Sequence, residues 1–266
     1  LLQHLNPIVS KTTLKQMSLI IYALLAMTGR VTMLGISRWT DKGGSYRTVQ
    51  RFFQTIIPWP KVMWAFFCTY LQRVEDVYLL AGDESVVTKS GKLTHGLDRF
   101  FSSIFGKPVP SVALFALSLV NTRERRAYPV MVEQVVRTET EKAEAKAKRQ
   151  PQKTKKESKR KKAGRPKGSK NRNKSKVTLT PELARIQAMI QQFLSLVGST
   201  ITLTYIALDG HFGNNNALQM VRQCGLHLIS KLRYDAALYF SYEGDNKRKK
   251  YGDKLDYSCI PDRLLQ

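Results

Sequence analysis

The chain has 266 residues, 42% of them hydrophobic, and carries a net charge of +24 with a pI near 10.1. That length allows one good core and a smaller satellite domain. The charge sets the chain apart from an average enzyme and favours a polyanionic partner, nucleic acid before an anionic membrane.

Residues 11–75 read as helical. Leu14, Met17, Leu19, Ile20, Ala23, Leu24 and Met27 recur at helical spacing. The apolar run Met17–Met27 is shorter than the roughly 20 residues a spanning helix needs. No small-residue cleavage site follows it, so it reads as a core helix rather than a secretion signal. Gly29 stops that helix. Val31–Arg38 gives a short apolar helix, and Ser45 can cap another over Tyr46–Thr55. Pro60–Val74 gives an aromatic-rich helix. Thr32–Thr55 could form a helix-turn-helix, with Arg47, Gln50 and Arg51 on the outer face of its second helix. A plain helical bundle with a basic surface fits the same residues.

The pattern then changes. Val77–Asp83 is a short run of strand formers that ends on an aspartate. Gly91–Pro110 reads as a loop with a single helical turn. Val112–Val120 and Tyr128–Val136 read as strands joined by a turn at Asn121–Arg126, completing an antiparallel meander. Residues 138–178 form a basic insert. Between Glu141 and Lys176 lie 17 Lys/Arg against 3 Glu, which is +14 of the total charge. Without hydrophobic spacing the insert cannot offset its own ordering entropy and is expected to be mobile. Pro181–Val197 is an amphipathic helix with Thr180 as its cap. Leu203–Leu208 is a strand, Asn214–Gln223 a helix, Leu226–Ser230 a strand and Ala236–Tyr242 a further strand.

The expected organisation is therefore a helical, helix-turn-helix-like DNA-binding domain over 1–75, strands one to three over 76–137, and the insert over 138–178. A second part of the same α/β domain follows over 179–245, and a polar insertion begins at 246–266. The chain starts at Leu1 and stops at Gln266 in polar sequence, so both ends read as cuts. Cys68, Cys224 and Cys259 lie far apart, and their odd number argues against a disulfide framework and for a reducing compartment. The four histidines make no zinc pattern with them.

An antiparallel trio followed by a crossover helix places the fourth strand parallel to the first. That is a ribonuclease-H-like layout: an α/β fold with a mixed sheet flanked by helices, preceded by an all-α part and interrupted by the insert. The first strand ends on Asp83 and the fourth on Asp209, so the two carboxylates become neighbours. Oxygen ligands suit magnesium, which one or two carboxylates and substrate phosphate commonly hold. Two such ions can serve phosphoryl transfer. An aspartate after a strand is also a frequent turn former, and Asp209-Gly210 is a turn dipeptide. Glu84 points to the opposite side from Asp83 if the strand continues. His211 could orient a phosphate or a water, or be a plain loop residue.

Ala81-Gly-Asp83-Glu-Ser-Val-Val-Thr-Lys-Ser-Gly91 resembles the first-aspartate segment of DDE transposases from bacterial insertion sequences. Tyr205-Ile-Ala-Leu-Asp209-Gly-His-Phe-Gly-Asn resembles their second-aspartate segment, and Leu228–Tyr239 the strand and basic turn that follow. The resemblance covers about residues 10–245. It implies a ribonuclease-H-like catalytic core behind a helical DNA-binding domain. It also implies cleavage and strand transfer at Asp83 and Asp209 with two Mg2+ ions, or Mn2+ in their place. Water attacks a phosphodiester at the element end, and the freed 3′-hydroxyl then attacks target DNA. The implied partners are element-end and target DNA and a second copy of the chain, with no membrane, in bacterial cytoplasm beside the nucleoid. The third acid of such relatives lies downstream in a Tyr-x2-Arg-x3-Glu-x6-Lys pattern. Here the Tyr-x2-Arg spacing occurs at Tyr70 and Arg73, upstream of both aspartates, with Val at position 77. Glu243, the last glutamate, lacks the pattern. The expectation is an incomplete catalytic set, with a non-catalytic DNA-binding remnant as the alternative.

Gly164-Arg165-Pro166-Lys167-Gly168-Ser169 resembles an AT-hook, whose narrow core enters the minor groove of A·T tracts. A generic basic linker fits it too. Lys231 and Arg233, just past a strand, are candidates for DNA-backbone contacts or a solvated charge pair.

Overall fold

A computed structural model describes residues 2–39, 44–91, 93–143, 176–232, 236, 238–246, 249 and 251–261. Four helices come first: α1 (Lys11–Ala26), α2 (Met33–Trp39), α3 (Tyr46–Gln54) and α4 (Trp59–Tyr70). Ser10 starts α1 by accepting the Thr13 amide at 3.2 Å. The face Leu14, Met17, Ile20 and Ala23 packs with Ile36, Val49, Phe52 and Val62 into one apolar cluster. Ser45 stands at the start of α3, but its hydroxyl makes no capping bond; its carbonyl accepts the Thr48 amide instead. Helix α4 ends at Tyr70, four residues before the expected Val74.

The sheet has strands β1 (Tyr78–Thr88), β2 (Asp98–Ser102), β3 (Lys107–Asn121), β4 (Arg126–Val135), β5 (Tyr205–Leu208) and β6 (His227–Ile229). Their order is β2-β3-β1-β5-β6, with β4 paired to β3. Helix α5 (Pro181–Val197) precedes β5, and α6 (Asn215–Gln223) links it to β6. As expected, β5 lies parallel to β1. This mixed sheet with its helices fits the ribonuclease-H-like expectation. A separate hairpin of β7 (Tyr239–Ser241) and β8 (Tyr251–Lys254) follows.

Two expectations about strands need correction. First, β1 does not end at Asp83 but runs to Thr88, still paired with β3. What ends beside Asp83 is the parallel pairing with β5, whose last registered pair is Gly82 and Leu208. Second, Gly91–Pro110 is not simply loop. It contains β2 and the start of β3, held by pairing across the hairpin from Asp98–Ser111 to Ser102–Lys107.

The main core joins the inward residues Leu80, Phe115, Leu117, Leu119, Ile206 and Leu208 to helix residues of α4, α5 and α6. Phe193, Ile190 and Met220 are fully buried there. The opposite face of the sheet, with Ala81, Leu114, Ala116 and Ala207, is only half-buried. Helix α4 serves both clusters: Val62 belongs to the first and Trp64 and Phe67 to the second. Trp64 meets Phe193 of α5 edge-on at 5.8 Å. Of the expected insert, residues 138–143 and 176–178 are described, and the stretch expected to be mobile between them lies outside the described residues. Thr138 and Glu141 form a capping box, with the Thr138 amide donating to Glu141 at 2.8 Å and the Glu141 amide to Thr138 at 3.3 Å. No helix of the described residues is long and apolar enough to cross a membrane.

Candidate active site

Asp83 and Asp209 meet through register. Leu80, Ala81 and Gly82 of β1 lie opposite Ile206, Ala207 and Leu208 of β5. One further step along the same register sets Asp83 beside Asp209. Side chains alternate along a strand, and parallel strands lie about 4.8 Å apart. Leu80 and Gly82 face the core, as do Ile206 and Leu208, so the following aspartates project together onto the half-buried face. At Asp209 the backbone is still extended, with φ −64 and ψ 174. Both residues are exposed.

Gly82 permits the approach. A Cβ there would lie 2.8 Å from Leu208 Cδ2 and 2.9 Å from Phe115 Cζ. On its other side, β1 is tied to β3 by the pairing of Asp83 with Ala116. Asp83 is thus carried by a strand paired on both edges up to the preceding residue.

Each carboxylate has one occupied oxygen. Asp83 Oδ1 accepts the Glu84 amide at 2.9 Å. Asp209 Oδ1 accepts the His211 amide at 3.1 Å and caps the 3-10 turn Gly210–Phe212. The turn-forming role expected of Asp209 is therefore real, yet it uses a single oxygen. Ser230 at the end of β6 donates its hydroxyl to the Asp209 carbonyl at 2.7 Å and fixes the turn to the sheet. The second oxygen of each aspartate has no hydrogen-bond or ion-pair partner among the described residues. Two free, hard oxygen donors side by side match the chemistry of a divalent cation. Among the described residues no group of three His, Cys, Asp or Glu converges on such an ion.

Glu84 points the other way, as the strand alternation requires. It borders a cavity of about 340 Å³ with Phe115, Arg137, Glu141, Glu182 and Arg185. Although its side chain keeps contact with solvent, burial pushes its carboxyl up. Glu182 adds to that shift, while Arg137, His211 and Arg185 oppose it. Arg185 Nη1 donates to Glu141 Oε1 at 2.8 Å. His211 Nε2 lies 3.7 Å from Glu182 Oε1. Sequence reasoning missed Glu182 and the two arginines as neighbours of Glu84. The readable signal was Glu182 in the first turn of α5, after the Thr180 cap.

The basic candidates separate. Arg47 and Arg51 are exposed on α3, opposite its buried Val49 and Phe52. Lys231 follows β6 and packs on the Asp209 turn, its Cβ 3.5 Å from the position of a Cβ on Gly210. Arg165, Pro166, Lys167 and Arg233 lie outside the described residues.

Residues 1–264 match the family model described as DDE superfamily endonuclease. No curated protein matches the chain.

Proposed function

The chain belongs to the DDE superfamily endonucleases, and from that membership we propose that it is a metal-dependent DNA transposase that cuts phosphodiester bonds and joins strands. The observation that supports this best is the β1–β5 register, which carries Asp83 and Asp209 onto one open face. In this reading each aspartate offers its unoccupied oxygen to Mg2+, or to Mn2+ in its place. The bound cations would polarise the scissile phosphate and stabilise the charge on entering and leaving oxygens. Gly82 keeps the two strands close enough for the carboxylates to share a ligand. Lys231, set against the Asp209 turn, serves as a backbone phosphate contact, as Arg47 and Arg51 do on α3. The AT-hook-like Arg165, Pro166 and Lys167, with Arg233, add further DNA contacts. A paired assembly of two chains acts on the element ends.

A second reading is a DNA-binding protein without catalysis. The lack of a converging third ligand among the described residues favours it.

Nicking of supercoiled plasmid with and without Mg2+ separates the two. The transposase reading expects metal-dependent nicking that Asp83→Asn or Asp209→Asn lowers by about three orders of magnitude. DNA binding stays within about twofold, since few of the phosphate contacts involve these residues. Undiminished nicking in either variant would remove the metal assignment. Binding without nicking by the unsubstituted chain selects the second reading.

A further inference from the structure

We propose that the β2–β3 hairpin is a DNA-contacting arm whose apolar tip wedges between stacked bases of a duplex. The proposal rests on the DNA reading of the Asp83–Asp209 site and adds a contact surface to it.

The arm grows out of the same strands that carry the site. Beyond Asp83, β1 leaves β5 behind and stays paired with β3 through Ser85–Leu114 to Thr88–Ser111. There β2 takes over along β3, and residues 103–106 turn at the tip. Lys107, at the start of β3, is nine residues from Ala116, which pairs with Asp83. At about 3.4 Å per residue the tip lies roughly 30 Å from the carboxylates, close to one turn of B-DNA.

Its chemistry is apolar at the tip and cationic along the sides. Ile104 is 86% exposed, Phe105 54% and Phe101 62%. Lys89, Arg99 and Lys107 are exposed around them. Asp98 is the one acid between Ser85 and Asn121. It is neutralised by Arg137 at 3.2 Å. Arg99 Nη2 donates to the Pro108 carbonyl at 2.9 Å, which holds that guanidinium across the hairpin. A shallow, open cleft of about 320 Å³ lies between Phe105, Val109 and Lys89.

Large apolar side chains left in water beside cations that have no ion-pair partner among the described residues call for a partner that is both anionic and apolar inside. Duplex DNA is such a partner: phosphates meet the cations, and an Ile–Phe wedge enters a base step and kinks it. A second copy of the tip fits poorly as its partner, because Lys89, Arg99 and Lys107 would then face their own copies.

The test uses the full chain and an A·T-rich duplex carrying 2-aminopurine. Binding by the unsubstituted chain raises the 2-aminopurine fluorescence as stacking is lost. The double variant Ile104→Ser, Phe105→Ser abolishes that rise and weakens binding about tenfold, the effect of losing one stacking contact. Its thermal unfolding by circular dichroism stays unchanged, because both side chains are exposed. Lys107→Ala keeps the rise but lowers the slope of log affinity against log salt by about 0.9. A double variant with unaltered fluorescence and affinity overturns the arm alone and leaves the DNA reading standing. No duplex binding by the unsubstituted chain overturns both. A tip variant that changes sedimentation of the DNA-free chain reassigns the tip to self-association and overturns the arm.

Discussion

At the scale of single residues, the site depends on a side chain that is missing. Gly82 sits where any Cβ would meet Leu208 and Phe115 at under 3 Å. The end of Leu208 can swing aside, but the Phe115 ring is stiff and packed in the core. Gly82→Ala therefore forces β1 and β5 apart or tilts the ring. Overpacking of this kind costs about 1–3 kcal/mol. The expected outcome is a lower urea midpoint and a cleavage rate that falls further than DNA affinity does. An Ala variant with wild-type stability and cleavage would show that the strands need no such approach. The acid pair itself was legible in the sequence, because an apolar run ending in Asp occurs twice and the order of elements makes the runs neighbours. Gly82 was not legible as a spacer, since only the register reveals what faces it. Nor was the shared surrounding of Glu84 and Glu182, which are 98 positions apart in the chain.

At the scale of elements, legibility followed the locality of the stabilising contacts. Helix α5 spans Pro181–Val197 as read, because its signals are local: Thr180 accepts the Leu183 amide at 3.3 Å, Pro opens the helix and its apolar face repeats. Strand β2 escaped detection, because its hydrogen bonds come from β3 and its partners include Pro108 and Pro110. Prolines in that stretch read as loop. Pro129 in β4 is likewise placed opposite Ser118 at a register shift. The anchoring of α5 to Glu141 at the start of the insert was also invisible in sequence. Burial pushes the Glu141 carboxyl up, but the Thr138 amide, the Arg185 guanidinium and the Thr138 hydroxyl outweigh it, so its net shift is downward. A carboxyl held below its unfolded value stabilises the fold at higher pH, and that contribution is lost as pH falls through the folded value. Glu141→Gln should therefore lower stability by about 1.5 kcal/mol at pH 7, the low end for a hydrogen bond to a charged group. The gap between variant and parent should close below the ordinary carboxylate range. Urea titrations of both proteins from pH 7 to pH 3 check this. A gap that persists at the acid end would assign the loss to packing instead.

At the scale of the whole molecule, the two apolar clusters share α4, which packs the helical part directly against the core of the sheet. Val62 is held in one cluster while Trp64 and Phe67, a few residues on, are held in the other. The exposed Arg47 and Arg51 of α3 thereby sit on a helical part that packs, through α4, on the core side of the sheet whose other face carries Asp83 and Asp209. A single duplex can engage both only if the cations of each part release counterions in the same binding event. In that case every lost phosphate contact lowers the salt slope by about 0.9, whatever the DNA sequence. Arg47→Ala combined with Arg51→Ala should then reduce the slope by about 1.8 and weaken binding to all duplexes alike. Metal-dependent nicking at saturating DNA should stay near its original rate, because neither arginine touches the carboxylates. Titrations from 50 to 200 mM salt give the slope directly. An unchanged slope would mean that α3 turns its arginines to solvent while the sheet binds DNA alone. A slope that falls only for A·T-rich duplexes would instead make α3 a reader of base sequence rather than a backbone clamp.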